Sequence, residues 1–216
     1  PLLANLFLHY GFDKWLEKND TTVTFTRYAD DVIVNCRSQQ HAEHILKIIK
    51  NRMHQIGLEL HPLKTKIVYC KDYRRKEKYD NVKFEFLGYS FQPRTSTSKK
   101  RSGLFLGFDC GISISSRKRI ADTLGEIKVH RMTANSIVGI AKILNPMIRG
   151  WINYYGKFRK SMLHSVFKLL NNRLVRWARK RYKRYKTSIK RAYQWFYRVK
   201  EQFPNLFYHW KMGYTN

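Results

Sequence analysis

The stretch TFTRYADDVIV, residues 24–34, limits the fold most, because it sets two adjacent aspartates between β-branched and aromatic residues. Such residues favour strands, whereas neighbouring like charges repel and are costly to bury. The pattern predicts a tight hairpin with Asp30 and Asp31 at or beside its tip. Aspartate is common in turns for local reasons, so a plain turn is one interpretation. The other is a metal site, in which divalent cations offset the repulsion.

The net charge points to a polyanionic partner. The 216 residues include 43 Lys+Arg and 15 Asp+Glu, a net charge of +28, which favours nucleic acid or an anionic membrane surface. No apolar run approaches the roughly 20 residues that span a bilayer, so we expect no membrane association. The three cysteines lie far apart without CxxC spacing. They predict a reducing compartment, the cytoplasm of a bacterial-type cell or an organelle.

The charge is distributed unevenly and predicts two domains. Residues 1–115 hold 19 Lys+Arg and 12 Asp+Glu, a net of +7, whereas residues 116–216 hold 24 and 3, a net of +21. The polar segment QPRTSTSKKRSG, residues 92–103, is typical of an exposed, flexible loop. We therefore predict domains at 1–115 and 116–216.

The first domain alternates helix and strand signals, which predicts an α+β fold. A helical stripe runs from Ala42 to Ile56, and Gly57 is placed to end that helix. Strand candidates are KIVYC, FEFLGYSF and a weaker pair, LFLGF and ISIS, so a small antiparallel sheet with helices on one face is expected. The segment KDYRRKEKYDNVK is typical of a solvated loop. An earlier apolar helical face comprises Leu3, Leu6, Phe7 and Tyr10.

The second domain is predicted to be all-helical, with apolar faces inward and a Lys/Arg coat. Thr133 is a candidate N-cap for its first helix, and Asn145-Pro146 is typical of the start of another. The three apolar stripes are Ile137, Ile140, Ala141 and Leu144; then Val166, Leu170, Leu174 and Trp177; then Ala192, Trp195, Phe196 and Val199.

Several motifs in order carry a family resemblance. YADD resembles the active-site box of reverse transcriptases, and PLLANLFLHYGFDKWL is similar to the palm segment before it. GLELHPLKTKIVYC resembles the block with a Lys-Thr pair, and FEFLGYSF resembles the primer-grip hairpin. ILNPMIRGWINYYGKF, LVRWARKRYKR and FPNLFYHWKMG resemble the maturase domain, also called domain X or the thumb. The chain thus resembles the C-terminal half of a group II intron-encoded reverse transcriptase/maturase, which implies a partial palm followed by a helical thumb.

The resemblance implies a two-metal Mg²⁺ site. Asp30 and Asp31 match its catalytic metal ligands, and the family completes the site with a third carboxylate upstream of Pro1, where the fingers also lie. The chain is therefore expected to be a fragment that is inactive alone. The residues implied to contact nucleotide or primer are Tyr28, Ala29, Lys64, Phe86, Leu87 and Gly88. For Lys64 an ordinary surface lysine is an equal alternative.

The basic helices predict an RNA-binding surface. Their cations lack acidic partners three or four residues away, so they repel each other unless an anion binds. The interleaved Trp177, Tyr182 and Tyr185 are candidates to stack on unpaired bases, whereas Trp151 is expected in the core. The predicted RNA-binding residues are Arg149, Arg173, Arg176, Arg179, Lys180, Arg181, Lys183 and Arg184.

The function implied is RNA-directed DNA synthesis combined with intron RNA binding that assists splicing and mobility. The partners implied are group II intron RNA, an RNA template with a DNA primer, dNTPs and target DNA. A splicing-only maturase with a vestigial polymerase site is the main alternative. A generic basic DNA-binding module is a more distant one, because it leaves the paired acids unexplained.

Overall fold

The structure, a computed structural model, describes residues 1–97 and 103–214. The chain forms two compact units. Unit 1 comprises residues 1–70 and 76–83, and unit 2 comprises residues 71–75 and 84–216. No helix within the described ranges has the length and apolar character needed to cross a membrane.

Unit 1 contains a helical segment, a hairpin and a long helix. The first helical segment consists of α1 (Leu2–Leu8), a π-helical turn (His9–Asp13) and α2 (Lys14–Asn19). Strands β1 (Thr24–Tyr28) and β2 (Asp31–Asn35) pair antiparallel, so the predicted hairpin is confirmed. Helix α3 (Gln39–Gln55) follows. Gly57, with φ of +75°, lies just after α3 as predicted.

The core of unit 1 differs from the sequence prediction at its first helix. Leu8, Phe12 and Leu16 recur every four residues and pack with α3 and the hairpin, which fixes the inward face. The predicted apolar stripe lies on another face and is solvent-exposed, with Leu3 79% and Tyr10 67% exposed. Leu6 and Phe7 are exposed in the same way. The core residues are Phe12, Leu16, Val23, Ile45, Ile49 and Met53.

The segment after α3 contains no regular strand. The predicted strand KIVYC is wrong: its residues 66–70 are irregular, and one backbone bond from Tyr69 N to Asn81 O at 2.8 Å is too little for a ladder. The predicted loop at residues 71–83 is confirmed as irregular.

Unit 2 begins with a three-stranded antiparallel sheet in the order β3-β4-β5. The strands are β3 (Phe84–Phe86), β4 (Tyr89–Thr97) and β5 (Leu104–Ile112). Residues 92–97 of the predicted loop are strand, because they pair in register with β5; residues 98–102 of that loop lie outside the described residues. The predicted strand ISIS is also wrong. Ile112 ends β5, and the Ser113 hydroxyl accepts a hydrogen bond from Ser116 N as the N-cap of the next helix.

The rest of unit 2 is helical, as predicted. Its helices are α4 (Ile114–Glu126), α5 (Ile137–Tyr155), α6 (His164–Arg181), α7 (Ile189–Gln202) and α8 (Tyr208–Lys211). Short 3-10 turns lie at Val129–Arg131, Lys160–Leu163 and Lys183–Tyr185. The predicted stripes on α5, α6 and α7 all belong to one hydrophobic core or pack against it.

Two predicted helix boundaries are wrong. Ser136, not Thr133, caps α5, since its side chain accepts from Gly139 N. Helix α5 continues through Pro146 instead of starting there. The Asn145 side chain instead binds a distant segment: its amide donates to Leu206 O at 3.0 Å and accepts from Tyr208 N at 2.9 Å. These long-range bonds fix Asn145 inside the helix.

The compact units divide the chain earlier than the predicted boundary at residue 115. Sheet β3-β4-β5 belongs to the same unit as helices α4–α8, because β5 leads directly into α4 and packs on the turn after α5. The division of the family's palm and thumb at residue 115 stays a prediction.

Candidate active-site hairpin and nucleic-acid surface

The hairpin presents two faces because side chains alternate along its strands. The register runs from Thr24 opposite Asn35 to Tyr28 opposite Asp31. Tyr28 and Asp31 therefore share one face, and both are exposed. The turn contains only Ala29 and Asp30, and Ala29 adopts φ of +55°, which is uncommon for a residue other than glycine.

Arg27, on the opposite face, anchors this turn. Its Nε and Nη2 donate to the two carboxylate oxygens of Asp13 at 2.7 and 2.6 Å. Its Nη1 donates to Ala29 O at 2.8 Å and to Asn5 Oδ1 at 3.0 Å. Burial opposes ionisation of Asp13, but the hydrogen bonds and charge of Arg27 outweigh it and lower the pKa of Asp13. The same pairing raises the pKa of Arg27. The sequence analysis missed this network, which joins residues far apart in the chain.

Asp30 and Asp31 are available for a ligand. Both are exposed, and neither carboxylate has a hydrogen bond or ion pair with a described residue. Carboxylate oxygens are ligands that Mg²⁺ prefers, so the chemistry of this pair fits the predicted metal. The described ranges contain no group of three or more His, Cys, Asp or Glu side chains placed to hold one. The two carboxylates therefore fit Mg²⁺ in kind but do not make a complete site.

The second predicted site is the turn between β3 and β4. Leu87 and Gly88 have φ of +50° and +76°, the signature of a two-residue type I′ turn. Tyr154 Oη donates to Leu87 O at 2.9 Å, and Ser113 N donates to Gly88 O at 2.9 Å. A Cβ at Gly88 would lie 2.7 Å from Ser116 Oγ. Glycine is therefore required by both backbone conformation and space.

A shallow cleft of about 310 Å³ adjoins this turn. Two half-exposed aromatic side chains of unit 2, Tyr154 and Phe158, line it together with Lys157. Phe86 and Leu87, two of the predicted primer-grip residues, complete the wall. The cleft thus combines apolar surface with one cation, a composition suited to a sugar or base beside a phosphate.

Comparisons with known families assign two regions of the chain. The model for reverse transcriptase (RNA-dependent DNA polymerase) matches residues 1–91. The model for the group II intron maturase-specific domain matches residues 117–196. The chain belongs to the group II intron reverse transcriptase/maturase family. No curated protein matches the chain.

The maturase-specific region carries the predicted RNA-binding cations in different environments. Arg173 is half-buried, and its guanidinium donates to Leu124 O and, at 3.5 Å, to Ala121 O, so it caps the end of α4. Arg179 donates to Lys186 O at 3.0 Å. Arg149 is exposed and lies 5.3 Å from the Tyr208 ring. The remaining cations are exposed: Arg176, Lys180, Arg181, Lys183 and Arg184.

The interleaved aromatic residues belong to the core, contrary to the sequence prediction. Trp177 is fully buried and donates from Nε1 to Met132 O at 2.9 Å. Tyr185 is 4% exposed, and half-buried Tyr182 packs against Trp177 and Trp195. The 3-10 turn after α6 folds both tyrosines inward, so they cannot stack on bases. Trp151 packs against the core, as expected.

Cations of α6 and of the 3-10 turn Val129–Arg131 form a local positive field. The pKa of His130 is lowered by burial and by the charges of Lys180, Arg131, Arg173 and Arg176. These residues therefore share one face of unit 2, which we call the α6 basic face. Lys64 belongs to an exposed irregular segment of unit 1, and its role stays a prediction.

Proposed function

We propose that this chain supplies the catalytic hairpin and primer grip of an RNA-directed DNA polymerase encoded by a group II intron. The observation that carries the proposal is the pair Asp30 and Asp31 at the turn of a hairpin within the reverse transcriptase match, exposed and with carboxylates that have no partner among the described residues. Repelling carboxylates without partners fit a cation site better than a structural turn.

Each residue of the hairpin has a proposed role. Asp30 and Asp31 would hold Mg²⁺, which when bound stabilises the attacking and leaving oxygens of phosphoryl transfer. Tyr28 shares the face of Asp31 and would contact the incoming nucleotide or primer end, and Ala29 leaves space beside it. Arg27 fixes the turn through Ala29 O, so that the carboxylates keep one geometry. Lys64 would offset charge on the leaving pyrophosphate.

The turn between β3 and β4 would position the primer. Tyr154 holds Leu87 O, so the turn is tied to α5 of the maturase region. Phe86, Leu87 and Gly88 would contact the primer backbone. The substrates of this reaction would be dNTPs and an RNA template with a DNA primer.

We also propose that unit 2 binds the intron RNA to assist splicing and that the complex acts on target DNA during mobility. The exposed cations of the α6 basic face support this, because they have no acidic neighbours to offset them. With Tyr185 buried and Tyr182 packed half-buried against Trp177 and Trp195, the binding would rest on phosphate contacts and not on base stacking by these residues.

Primer extension on an RNA template with Mg²⁺ tests the polymerase proposal. The 216-residue chain alone should give no extension, since its described residues supply two carboxylates. A chain extended upstream to include the family's third carboxylate should extend the primer. In that longer chain, Asp30→Ala should lower the rate by orders of magnitude through loss of metal positioning, while intron RNA binding stays unchanged.

The outcomes separate the alternatives. Extension by the 216-residue chain would show that the metal site is complete without upstream residues. Near wild-type extension by Asp30→Ala would favour a plain turn. Splicing assistance without extension in the longer chain would favour the splicing-only maturase.

A further inference from the structure

One face of the β4–β5 ribbon carries an excess of guanidinium groups. Arg159, the residue just before the Lys160–Leu163 turn, donates from Nε to Asp109 Oδ2 at 2.8 Å and from Nη2 to Ser96 Oγ and Thr95 O. It adopts φ of +43°, a left-handed conformation unusual for arginine. This contact holds Arg159 over the face that carries Asp109 and Ser96.

Arg94 lies on the same face of β4. It lies two positions from Ser96 and two from Gln92, and Gln92 pairs with Asp109 in the register. Its Nη2 reaches back to Ser90 O at 3.4 Å. When the Gln92 amide is turned so that its oxygen faces Arg94, that oxygen accepts from both terminal nitrogens of Arg94 at 3.0–3.1 Å. Both acceptors are neutral, so they satisfy donors without offsetting the charge.

Arg117 approaches the cluster from the first turns of α4. That helix starts beside the ribbon, because Ser113 N binds Gly88 O and Ser113 O accepts from Arg117 N. The pKa of Arg94 is lowered, first by burial and then by the charge of Arg159, with a further contribution from Arg117, while Asp109 opposes the shift. Two guanidinium groups, those of Arg94 and Arg159, therefore lie beside the Asp109 carboxylate, and Arg117 adds a third positive charge near Arg94.

The cluster is incompletely satisfied. Asp109 forms an ion pair with Arg159, and among the described residues no other Asp or Glu contributes to the charges around Arg94. The Nε atoms of Arg94 and Arg117 are buried and have no hydrogen-bond partner among the described residues. Most buried donors in proteins are paired, and a desolvated guanidinium without a counter-ion is costly. An oxyanion would offset both deficits.

We propose that Arg94, Arg117 and Arg159 form a phosphate-binding site for a nucleic-acid backbone on this face of the β4–β5 ribbon. The proposal rests on the proposed nucleic-acid function and places a contact outside the α6 basic face. Arginine suits the role because its planar fork matches phosphate oxygens. Asp109 keeps Arg159 in place and leaves the other two guanidinium groups for the ligand. The phosphate could belong to single-stranded RNA or to an RNA–DNA hybrid.

The first test uses inorganic phosphate as the probe. The unfolding midpoint of the 216-residue chain is measured in phosphate and in chloride at equal ionic strength, for wild type, Arg94→Gln/Arg117→Gln and the matched control Lys118→Gln/Lys142→Gln. Both control lysines are exposed. The arginine variant and the control variant each lose two positive charges. Phosphate should raise the midpoint of wild type and control but not of the arginine variant. Without phosphate the arginine variant should be at least as stable as wild type, since repulsion is relieved.

The second test identifies the source of the phosphate. Binding of short single-stranded RNA and of an RNA–DNA hybrid is titrated with salt for the same three proteins. Loss of two contacts should flatten the log–log slope by roughly 0.7 per contact on a single strand and roughly 0.9 on a duplex. The nucleic acid with the flattened slope is the one that this site binds. If the double variant does not fold, Arg117→Gln alone should give half the change.

Equal effects of phosphate on all three proteins, or none on wild type, would overturn the proposal, as would lower stability of the arginine variant without any phosphate effect. Failure of primer extension leaves these readouts unaffected, because they need neither Asp30 nor a metal. The two proposals can therefore fail separately.

Discussion

Arg27 forms a two-point ion pair with Asp13, from Nε at 2.7 Å and from Nη2 at 2.6 Å. Their side chains are 10% and 14% exposed, so the pair is largely removed from water. The third nitrogen of the same guanidinium, Nη1, donates to Ala29 O in the turn between β1 and β2. The residue that precedes YADD therefore ties the turn to the first helical segment of unit 1.

Arg27→Lys tests this tie. A lysine keeps the charge but cannot bind both carboxylate oxygens and Ala29 O together, so the free energy of unfolding of unit 1 should fall by about 1–3 kcal/mol. Chemical denaturation measures it. The control is Lys14→Gln, which removes the exposed ion pair with Glu17 at 3.0 Å and should change stability by less than about 1 kcal/mol. Equal losses in the two variants would show that Arg27 is not an anchor.

Gly88→Ala tests the turn of the predicted primer grip. The φ of +76° and a Cβ only 2.7 Å from Ser116 Oγ should together cost about 1–3 kcal/mol. Gly150→Ala is the matched control, because it lies within α5 with nothing within 4 Å of its added Cβ. That substitution should stabilise the helix by about 0.5–1 kcal/mol. Thermal unfolding of both variants measures the difference, and a neutral Gly88→Ala would refute the strained-turn description.

Local patterns in the sequence predict part of this architecture. The hairpin around Asp30 follows from two β-rich runs and a short acidic turn, and the stripe from Val166 to Trp177 follows from helical spacing. Both signals lie within a dozen residues. These two elements could be predicted because strand alternation and helical period are visible without knowledge of the rest of the chain.

Other features depend on distant partners and could not be read locally. Arg27 and Asp13 are 14 residues apart and belong to different elements. Pro146 is typical of a helix start, yet Asn145 binds Leu206 O, 61 residues away, and α5 continues. Tyr182 and Tyr185 look exposed among cations, but the turn after α6 buries them against Trp195. In each case tertiary contacts outweigh the local preference.

His209 should make unit 2 less stable in acid. It is fully buried, its Nε2 binds Asn171 Oδ1 at 2.8 Å, and burial lowers its pKa to about 3. The unfolded chain therefore binds a proton that the folded chain excludes. Stability is fully present above pH 6.5 and falls as the pH drops from there towards 3, by about 1.4 kcal/mol per pH unit.

Denaturant unfolding at pH 7 and pH 5 measures this dependence. The pKa of His130 is also lowered in the folded chain. The comparison therefore needs His209→Gln, which removes one titrating group and leaves the other. The variant should be less stable at pH 7 but should lose less stability between pH 7 and pH 5 than wild type. An identical loss in both proteins would exclude His209 as the source.

The α6 basic face should bind RNA mainly through counterion release. Within this face Arg131, Arg176 and Lys180 are exposed, whereas Arg173 caps α4. Replacing the three exposed cations by Gln should flatten the log–log salt dependence of single-stranded RNA binding by about two units, at roughly 0.7 per phosphate contact. The fold should survive, since the buried face of α6 is untouched; circular dichroism checks this.

The control, Lys142→Gln/Lys190→Gln/Arg198→Gln, removes the same charge from exposed positions of α5 and α7 and should leave the slope nearly unchanged. If both triple variants flatten the slope equally, the RNA is held by the overall positive charge of the chain. If neither variant changes the slope, the α6 basic face is an exposed surface that does not bind RNA.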